Sequence, residues 1–262
     1  MFFQLHLLLP IAGFLLGAII GSFLATILVR WPRGESVLGG RSRCDGCGRT
    51  LRALDLVPIL SWLVLRGRCR TCGARVDGRH VTVEIAAAAI GLVAALAFPW
   101  PMALATALFG WWLLILAALD VEHHWLPDAL TLPLIPAGLI VAWLGLGPPL
   151  ADRVAGAVAG GSVLWLIALA YRAARGREGM GGGDPKLMAG IGAWLGLFSL
   201  PFVLLGASLL GLLSIAAMAS RGVAVNAATR LPLGALLAVA AWAAWLAGDA
   251  LPTVTIESWL GW

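Results

Sequence analysis

The sequence predicts an all-α polytopic membrane protein of about eight transmembrane helices, with a small cytoplasmic zinc-ribbon-like domain inserted after the first helix. Three observations support this fold class. Of the 262 residues, 61% are apolar and only 12% are charged, and the mean hydropathy is +0.94. Apolar runs that approach the ~20 residues needed to cross a bilayer recur along the chain. All four cysteines fall in one polar segment after the first run.

Eight apolar runs are expected to span the membrane. They lie at residues 7–29, 81–98, 102–119, 129–147, 154–171, 185–198, 201–219 and 232–248. The first run lacks a preceding basic region and a following small-residue cleavage site, so we expect a retained helix and not a signal peptide. The domain boundaries that follow are 1–29 for the first helix, 30–80 for the cysteine domain, 81–248 for the main transmembrane domain and 249–262 for a tail.

The distribution of positive charge predicts the orientation of the chain. With eight spans the loops alternate sides, and of the 18 Lys and Arg residues only Arg153, in the loop 148–153, falls on the side that holds both termini. Loops rich in Lys and Arg stay in the cytoplasm, so both termini are expected to face away from it. This topology and anionic membrane lipids account for an isoelectric point near 9.7 without invoking nucleic acid.

The four cysteines form two CxxC pairs about 20 residues apart, a spacing that favours a structural zinc site. Each pair makes a tight turn that aims two thiolates at one point, and two such turns complete a tetrahedral four-thiolate site without an open position for catalysis. The expected ligands are Cys44, Cys47, Cys69 and Cys72. A disulfide is disfavoured in a cytoplasmic loop, and a redox role would need only one pair. The apolar stretch 51–68 between the pairs suits a membrane-surface segment or a small domain core.

Two aspartates, Asp120 and Asp184, are expected at the same depth, just inside the cytoplasmic rim of the membrane. Asp120 ends the third apolar run and Asp184 precedes the sixth, and these two spans run in opposite directions. Placing an ionisable residue at this depth costs free energy, so such residues are candidates for function. Two carboxylates brought together can share one proton, so that one polarises a water and the other hydrogen-bonds a scissile carbonyl. The pattern thus makes peptide hydrolysis one candidate, with helix capping and proton transport as alternatives.

Residues around the aspartates suggest further roles. Gly181 and Gly183 would let an extended substrate approach Asp184, and Lys186 could steady its charge or a substrate carbonyl. We expect Asp184 and Asp128 to be helix N-caps. Because the helix dipole favours negative charge at an N-terminus, Asp184 is expected to be the ionised base and Asp120 its protonated partner.

These segments resemble the type IV prepilin peptidases. The stretch "GMGGGDPKL" (179–187) is similar to the GxGD signature of that family, and "LDVEHHWLPD" (119–128) to its other aspartate motif. The cysteine loop and "GSFLATILVRWP" (21–32) resemble the N-terminal region of its bifunctional members. The resemblance implies that Asp120 and Asp184 are the catalytic pair. Candidates for positioning the substrate, taken from the residues themselves, are Gly181, Gly183, Lys186 and Asp128.

The resemblance also implies substrates, a second activity and a location. The substrates would be prepilins and type II secretion pseudopilins, whose short basic leader is removed at the cytoplasmic face of a bacterial inner membrane. The second activity is N-methylation of the new amino terminus with S-adenosyl-L-methionine as methyl donor. The chain departs from the family at Ala25 (usually Asn), at His80 (usually Tyr) and in "PLGA" (232–235, where the family has a "PFGP"-like segment). We expect none of these departures to touch the aspartates.

Three alternatives remain open from the sequence. A peptidase without methyltransferase activity is one, although the four cysteines argue against it. A proton-coupled transporter would use the two aspartates as a relay, but it would also predict inverted repeats, and no convincing repeat is found. A membrane-tethered zinc-ribbon module that binds nucleic acid or a partner protein would predict aromatic residues that stack on bases, yet Trp62 is the one aromatic residue in 44–72. The oligomeric state is not predicted.

Overall fold

The structure is a computed structural model that describes residues 2–37, 39–226 and 229–248, with side chains from residue 8 onward. Nine α-helices occupy these residues, and eight of them coincide with the eight predicted runs. The helices are α1 (Phe2–Arg30), α2 (Leu60–Val64), α3 (Gly78–Ala97), α4 (Met102–His123), α5 (Asp128–Trp143), α6 (Leu150–Arg175), α7 (Gly183–Leu195), α8 (Leu200–Ser220) and α9 (Leu233–Leu246).

Five of the described helices are long and apolar enough to cross a membrane, namely α1, α3, α4, α6 and α8. The helices α5, α7 and α9 have only 16, 13 and 14 residues. The all-helical membrane fold class predicted from the sequence is confirmed. The predicted tail 249–262 lies outside the described residues.

The chain divides into two compact units, Met1–Ile115 and Leu116–Trp262. In the first unit, α1 and α3 pack backbone against backbone through glycines four residues apart on α1. A Cβ atom at Gly13 would lie 2.4 Å from the carbonyl oxygen of Gly91, and one at Gly17 would lie 2.3 Å from that of Ala87. Only glycine permits this approach, which is the small-residue packing typical of membrane helices.

In the second unit, α7 is the most buried helix, with ten of its 13 residues buried. It packs closely on α5 and α6, because a Cβ atom at Gly138 would lie 2.5 Å from the oxygen of Ala193 and one at Gly156 would lie 2.6 Å from that of Gly192. The indole N–H of Trp194 donates to the carbonyl oxygen of Leu134 at 3.0 Å. These contacts hold α7, and the aspartate at its start, in a fixed place within the unit.

The charge count placed Arg153 in the loop 148–153, but it is a buried residue in the first turn of α6. Its guanidinium is fully buried, donates to the carbonyl oxygens of Gly138 and Leu146, and lies over the ring of Trp245 at 5.6 Å. A charge in such a place needs hydrogen bonds to offset its desolvation, and these contacts supply two of them. Arg153 thus ties the end of α5 to α6 and α9.

Candidate functional site

Two short turns in the first unit carry the cysteines, and each is closed by an isolated antiparallel bridge. The bridges pair Arg43 with Thr50 and Arg68 with Arg75. The N–H groups of Gly48 and Gly73 return to the carbonyl oxygens of Cys44 and Cys69, at 2.8 and 3.0 Å. Both glycines have φ near +70°, a conformation that other residues adopt at a cost.

The four sulfur atoms converge on one point. The ligand atoms of Cys44, Cys47, Cys69 and Cys72 all lie within 4.8 Å of one another. The Sγ atoms of Cys44 and Cys72 are 3.7 Å apart. Tetrahedral zinc with Zn–S bonds of ~2.3 Å separates its sulfurs by about 3.8 Å, so this distance fits a four-thiolate zinc site.

The backbone around Cys69 favours its thiolate form, which is the form that binds zinc. Backbone N–H groups of Cys72 and Thr71 that point at its sulfur lower the pKa of the Cys69 thiol to about 6. The N–H of Thr71 lies 3.5 Å from this sulfur. The sequence predicted these ligands, and the structure brings all four together.

Asp184 lies in the first turn of α7 and is 6% exposed. It is not the N-cap predicted from the sequence, because α7 begins one residue earlier and Gly182 occupies the cap position. Its own N–H donates to the carbonyl oxygen of Gly181 at 3.3 Å. A Cβ atom at Gly181 would stand 3.3 Å from Oδ2 of Asp184, so that position offers little room beside the carboxylate.

Asp120 lies in the last turn of α4 and is also 6% exposed. Its Oδ2 accepts a hydrogen bond of 2.9 Å from the backbone N–H of Ala235, in the first turn of α9. The segment "PLGA" was expected to lie away from the aspartates, and this expectation is wrong. The contact joins residues 115 positions apart, so local sequence patterns gave no sign of it.

Leu126 connects the surroundings of the two aspartates. A Cβ atom at Gly183 would lie 2.6 Å from Cβ of Leu126. One at Gly234 would lie 2.7 Å from the same side chain and 3.0 Å from Oδ2 of Asp120. Asp120 and Asp184 are close enough to interact electrostatically, so the predicted pair is brought together within the second unit.

Lys186 and Asp128 bind each other. The Nζ atom of Lys186 lies 2.6 and 2.7 Å from the two carboxylate oxygens of Asp128, and both side chains are partly exposed. Asp128 is the first residue of α5 and Pro127 occupies the cap position, so the predicted N-cap role of Asp128 is wrong. The pair instead links the start of α5 to the first turn of α7, two residues from Asp184.

Comparisons with known proteins match both parts of the chain. Residues 15–98 match the bacterial peptidase A24 N-terminal domain, and residues 107–216 match the type IV leader peptidase family. No solved structure matches.

Curated relatives cover most of the chain. A prepilin leader peptidase/N-methyltransferase of Aeromonas salmonicida is 43% identical over 80% of this chain and 72% of its own length. One of Pseudomonas putida is 37% identical over 89% of both chains. A type 4 prepilin-like proteins leader peptide-processing enzyme of Escherichia coli is 36% identical over 88% of this chain and 91% of its own. The matched regions include the four cysteines and both aspartates, and the chain belongs to the type IV leader peptidase family.

Proposed function

We propose that this protein removes the basic leader from type IV prepilins and type II secretion pseudopilins and then N-methylates the new amino terminus. The observation that carries the peptidase activity is the pair of buried aspartates, Asp120 and Asp184, at the ends of α4 and α7. Family membership and the printed names of the relatives support both activities. The enzyme would act in the bacterial inner membrane, with its active site and cysteine loop on the cytoplasmic side and both termini in the periplasm.

The dyad would hydrolyse the peptide bond without forming a covalent bond between enzyme and substrate. The two carboxylates share one proton, because like charges so close cannot both ionise easily. The ionised carboxylate takes a proton from water as the water oxygen attacks the scissile carbonyl carbon, and the protonated one donates to the carbonyl oxygen. The C–N bond of the tetrahedral intermediate then breaks, and the leaving amine receives a proton from the dyad.

Sequence reasoning made Asp184 the base and Asp120 the protonated partner. The hydrogen bond from Ala235 stabilises charge on Asp120 and so opposes that assignment. The proposal therefore concerns the pair as one titrating unit, without fixed roles.

The second activity would use S-adenosyl-L-methionine, which supplies a methyl group when it is bound. The zinc site, held by Cys44, Cys47, Cys69 and Cys72, would fold the loop and take no part in either reaction, since four thiolates leave no open coordination position. Membrane lipids would surround the long apolar helices.

Mass spectrometry of a full-length prepilin incubated with the purified protein in detergent tests both activities. The parent should remove the leader, and with S-adenosyl-L-methionine the product should gain the mass of one methyl group. Asp120→Asn and Asp184→Asn should each lose cleavage by at least ~10³-fold. Cleavage at the parental rate by either variant would overturn the dyad. Cleavage without the methyl mass in the parent would leave only the peptidase.

A further inference from the structure

A small apolar groove lies along one side of α7 in the second unit, between α6 and α8, and has a volume of about 190 Å³. Ala159 and Val163 of α6 form one wall, Leu204 of α8 forms the other, and Met188 of α7 lies at the floor. Every residue that lines the groove has an apolar side chain or none. Small-molecule and cofactor sites typically measure ~300–1,000 Å³ and contain a few placed polar groups. The groove is smaller and wholly apolar, so it suits the side chains of another apolar segment.

The groove begins one helical turn from the proposed dyad. Asp184 and Met188 are four residues apart on α7 and therefore lie on the same face of that helix. From Met188 the groove follows α7 away from the aspartate and ends at the start of α8, where Leu200 and Pro201 line it. It thus leads from the proposed catalytic carboxylate along α7 into the apolar part of the molecule.

The walls of the groove have the composition of a helix-packing surface. The helices α6 and α8 are long and apolar enough to cross a membrane, and the described chain covers little of their surface. In lipid, helices associate where small residues let them pack closely, since both lipid and helix are apolar. Ala159 and Gly160 are such residues, and the flexible thioether of Met188 adapts to side chains of different shapes. The surface therefore favours an apolar helix.

The polarity of the groove also determines which part of a leader-bearing substrate fits it. A basic leader cannot enter, because burying its charges among apolar side chains without partners costs several kcal/mol or more. The apolar helix that follows the scissile bond meets no such cost. With the scissile bond at Asp184, this helix continues in the direction of α7, which is the direction of the groove.

We propose that the groove between α6 and α8 binds the apolar helix of the prepilin or pseudopilin substrate, an inference that rests on the proposed leader cleavage. The bound helix runs parallel to α7, and its first turns contact Met188, Val163 and Leu204. Holding the helix here fixes the scissile bond relative to the dyad, because the bond directly precedes the helix. The groove is thereby a determinant of substrate specificity.

Photocrosslinking in lipid bilayers tests the occupant of the groove without relying on turnover. Benzoylphenylalanine replaces Val163 or Leu204 in the full-length protein, and a full-length prepilin is added. Val158 and Leu205 provide matched controls, because they are exposed on the same two helices and do not line the groove. The probes at 163 and 204 should capture the apolar helix of the prepilin, and the controls should capture little of it. Capture of lipid alone, capture of a second copy of this chain, or equal capture of prepilin at all four positions would overturn the inference.

Filling the groove gives a kinetic test. Val163→Trp and Leu204→Trp should each raise KM for prepilin at least ~tenfold, because the indole occupies the space of the substrate helix. The value of kcat should stay within about twofold of the parent's, which would also show that the dyad is intact. Val158→Trp and Leu205→Trp should match the parent in both. A parental KM in the groove variants, or a fall in kcat at unchanged KM, would contradict the inference.

The failure of this inference is distinguishable from that of the proposed function. A parent that cleaves prepilin, with groove and control variants behaving alike, would keep the function and remove the groove as a binding surface. A parent that leaves prepilin uncut, but whose probes at 163 and 204 capture its apolar helix, would keep the groove and remove the peptidase.

Discussion

The backbone N–H of Ala235 donates a hydrogen bond of 2.9 Å to Oδ2 of Asp120, so that the first turn of α9 stabilises charge on one member of the proposed dyad. Free N–H groups and the helix dipole both favour an anion at this end of a helix. A proline at this position would have no N–H and could not make this bond.

Ala235→Pro should move the acidic limb of the pH–rate profile to higher pH. The variant loses the donor that favours an ionised Asp120, and a hydrogen bond to a charged group is strong enough for a shift of about one pH unit. Proline is tolerated in the first turn of a helix, so the fold should survive. The profile of kcat/KM with a prepilin substrate is the measurement, because it reports the free enzyme.

Ala235→Gly serves as the control for that substitution, since glycine keeps the N–H at the same position. Its acidic limb should coincide with that of the parent. A proline variant whose activity falls equally at every pH, with the limb unmoved, would show that the bond positions α9 and does not influence the dyad.

The long-range fold followed from the sequence to the extent that hydropathy and charge encode it. Apolar runs predicted eight helices because each helix must present apolar side chains to lipid or to neighbours, and cysteine spacing predicted the four-sulfur cluster because CxxC turns are local. The proximity of Asp120 and Asp184 could be predicted because the two helices that carry them run in opposite directions, which places both aspartates at the same depth.

The details that sequence reasoning missed depend on exact ends and on distant contacts. Asp184 and Asp128 were expected to be N-caps, but α7 and α5 begin at or before them, and boundaries of this kind are uncertain by one or two residues. Arg153 was expected in a loop, because hydropathy does not show which groups will surround a side chain. In the fold, carbonyl oxygens and the ring of Trp245 contact its guanidinium. The bond from Ala235 depends on tertiary packing alone.

Loss of the ion pair between Lys186 and Asp128 should lower catalytic activity more than it lowers the stability of the fold. Both groups are partly exposed, so the pair is worth at most ~1 kcal/mol in unfolding, but it fixes the turn that carries Asp184. We expect Lys186→Met and Asp128→Asn each to lower kcat/KM by ~3–10-fold, because small displacements of a catalytic group are costly.

A double-mutant cycle distinguishes this role from direct substrate contact. If the two residues act through each other, the double variant should be no worse than either single one. Losses that multiply in the double variant would mean that Lys186 or Asp128 acts independently, for example on the substrate, and would contradict the positioning role.

Cobalt can report the geometry of the cysteine site. Protein prepared with Co²⁺ in place of zinc should show the intense visible absorption of tetrahedral cobalt bound to thiolates, because the four sulfurs converge within 4.8 Å. Cys47→Ser should lose most of this signal and lower the thermal stability of the loop, whereas Ser42→Ala, in the same loop but outside the cluster, should retain both. Weak absorption of octahedral type in the parent would contradict the four-thiolate site.

Neighbouring glycines at the start of α7 differ in what a methyl group would meet. A Cβ atom at Gly183 would lie 2.6 Å from Cβ of Leu126, while one at Gly182 would have no neighbour within 4 Å among the described atoms. Gly183→Ala should therefore push Leu126 or the first turn of α7 aside and disturb Asp184, lowering kcat/KM by ~10–100-fold. Gly182→Ala should stay within about twofold of the parent, since it adds the same methyl group to open space.

Removing the side chain of Leu126 tests whether this clash causes the loss of activity expected in Gly183→Ala. In a Leu126→Gly background the Cβ atom that the methyl group meets is absent, so the penalty of Gly183→Ala should shrink by several-fold when leader cleavage is compared in the two backgrounds. An equal penalty in both would show that the clash with the side chain of Leu126 is not the cause.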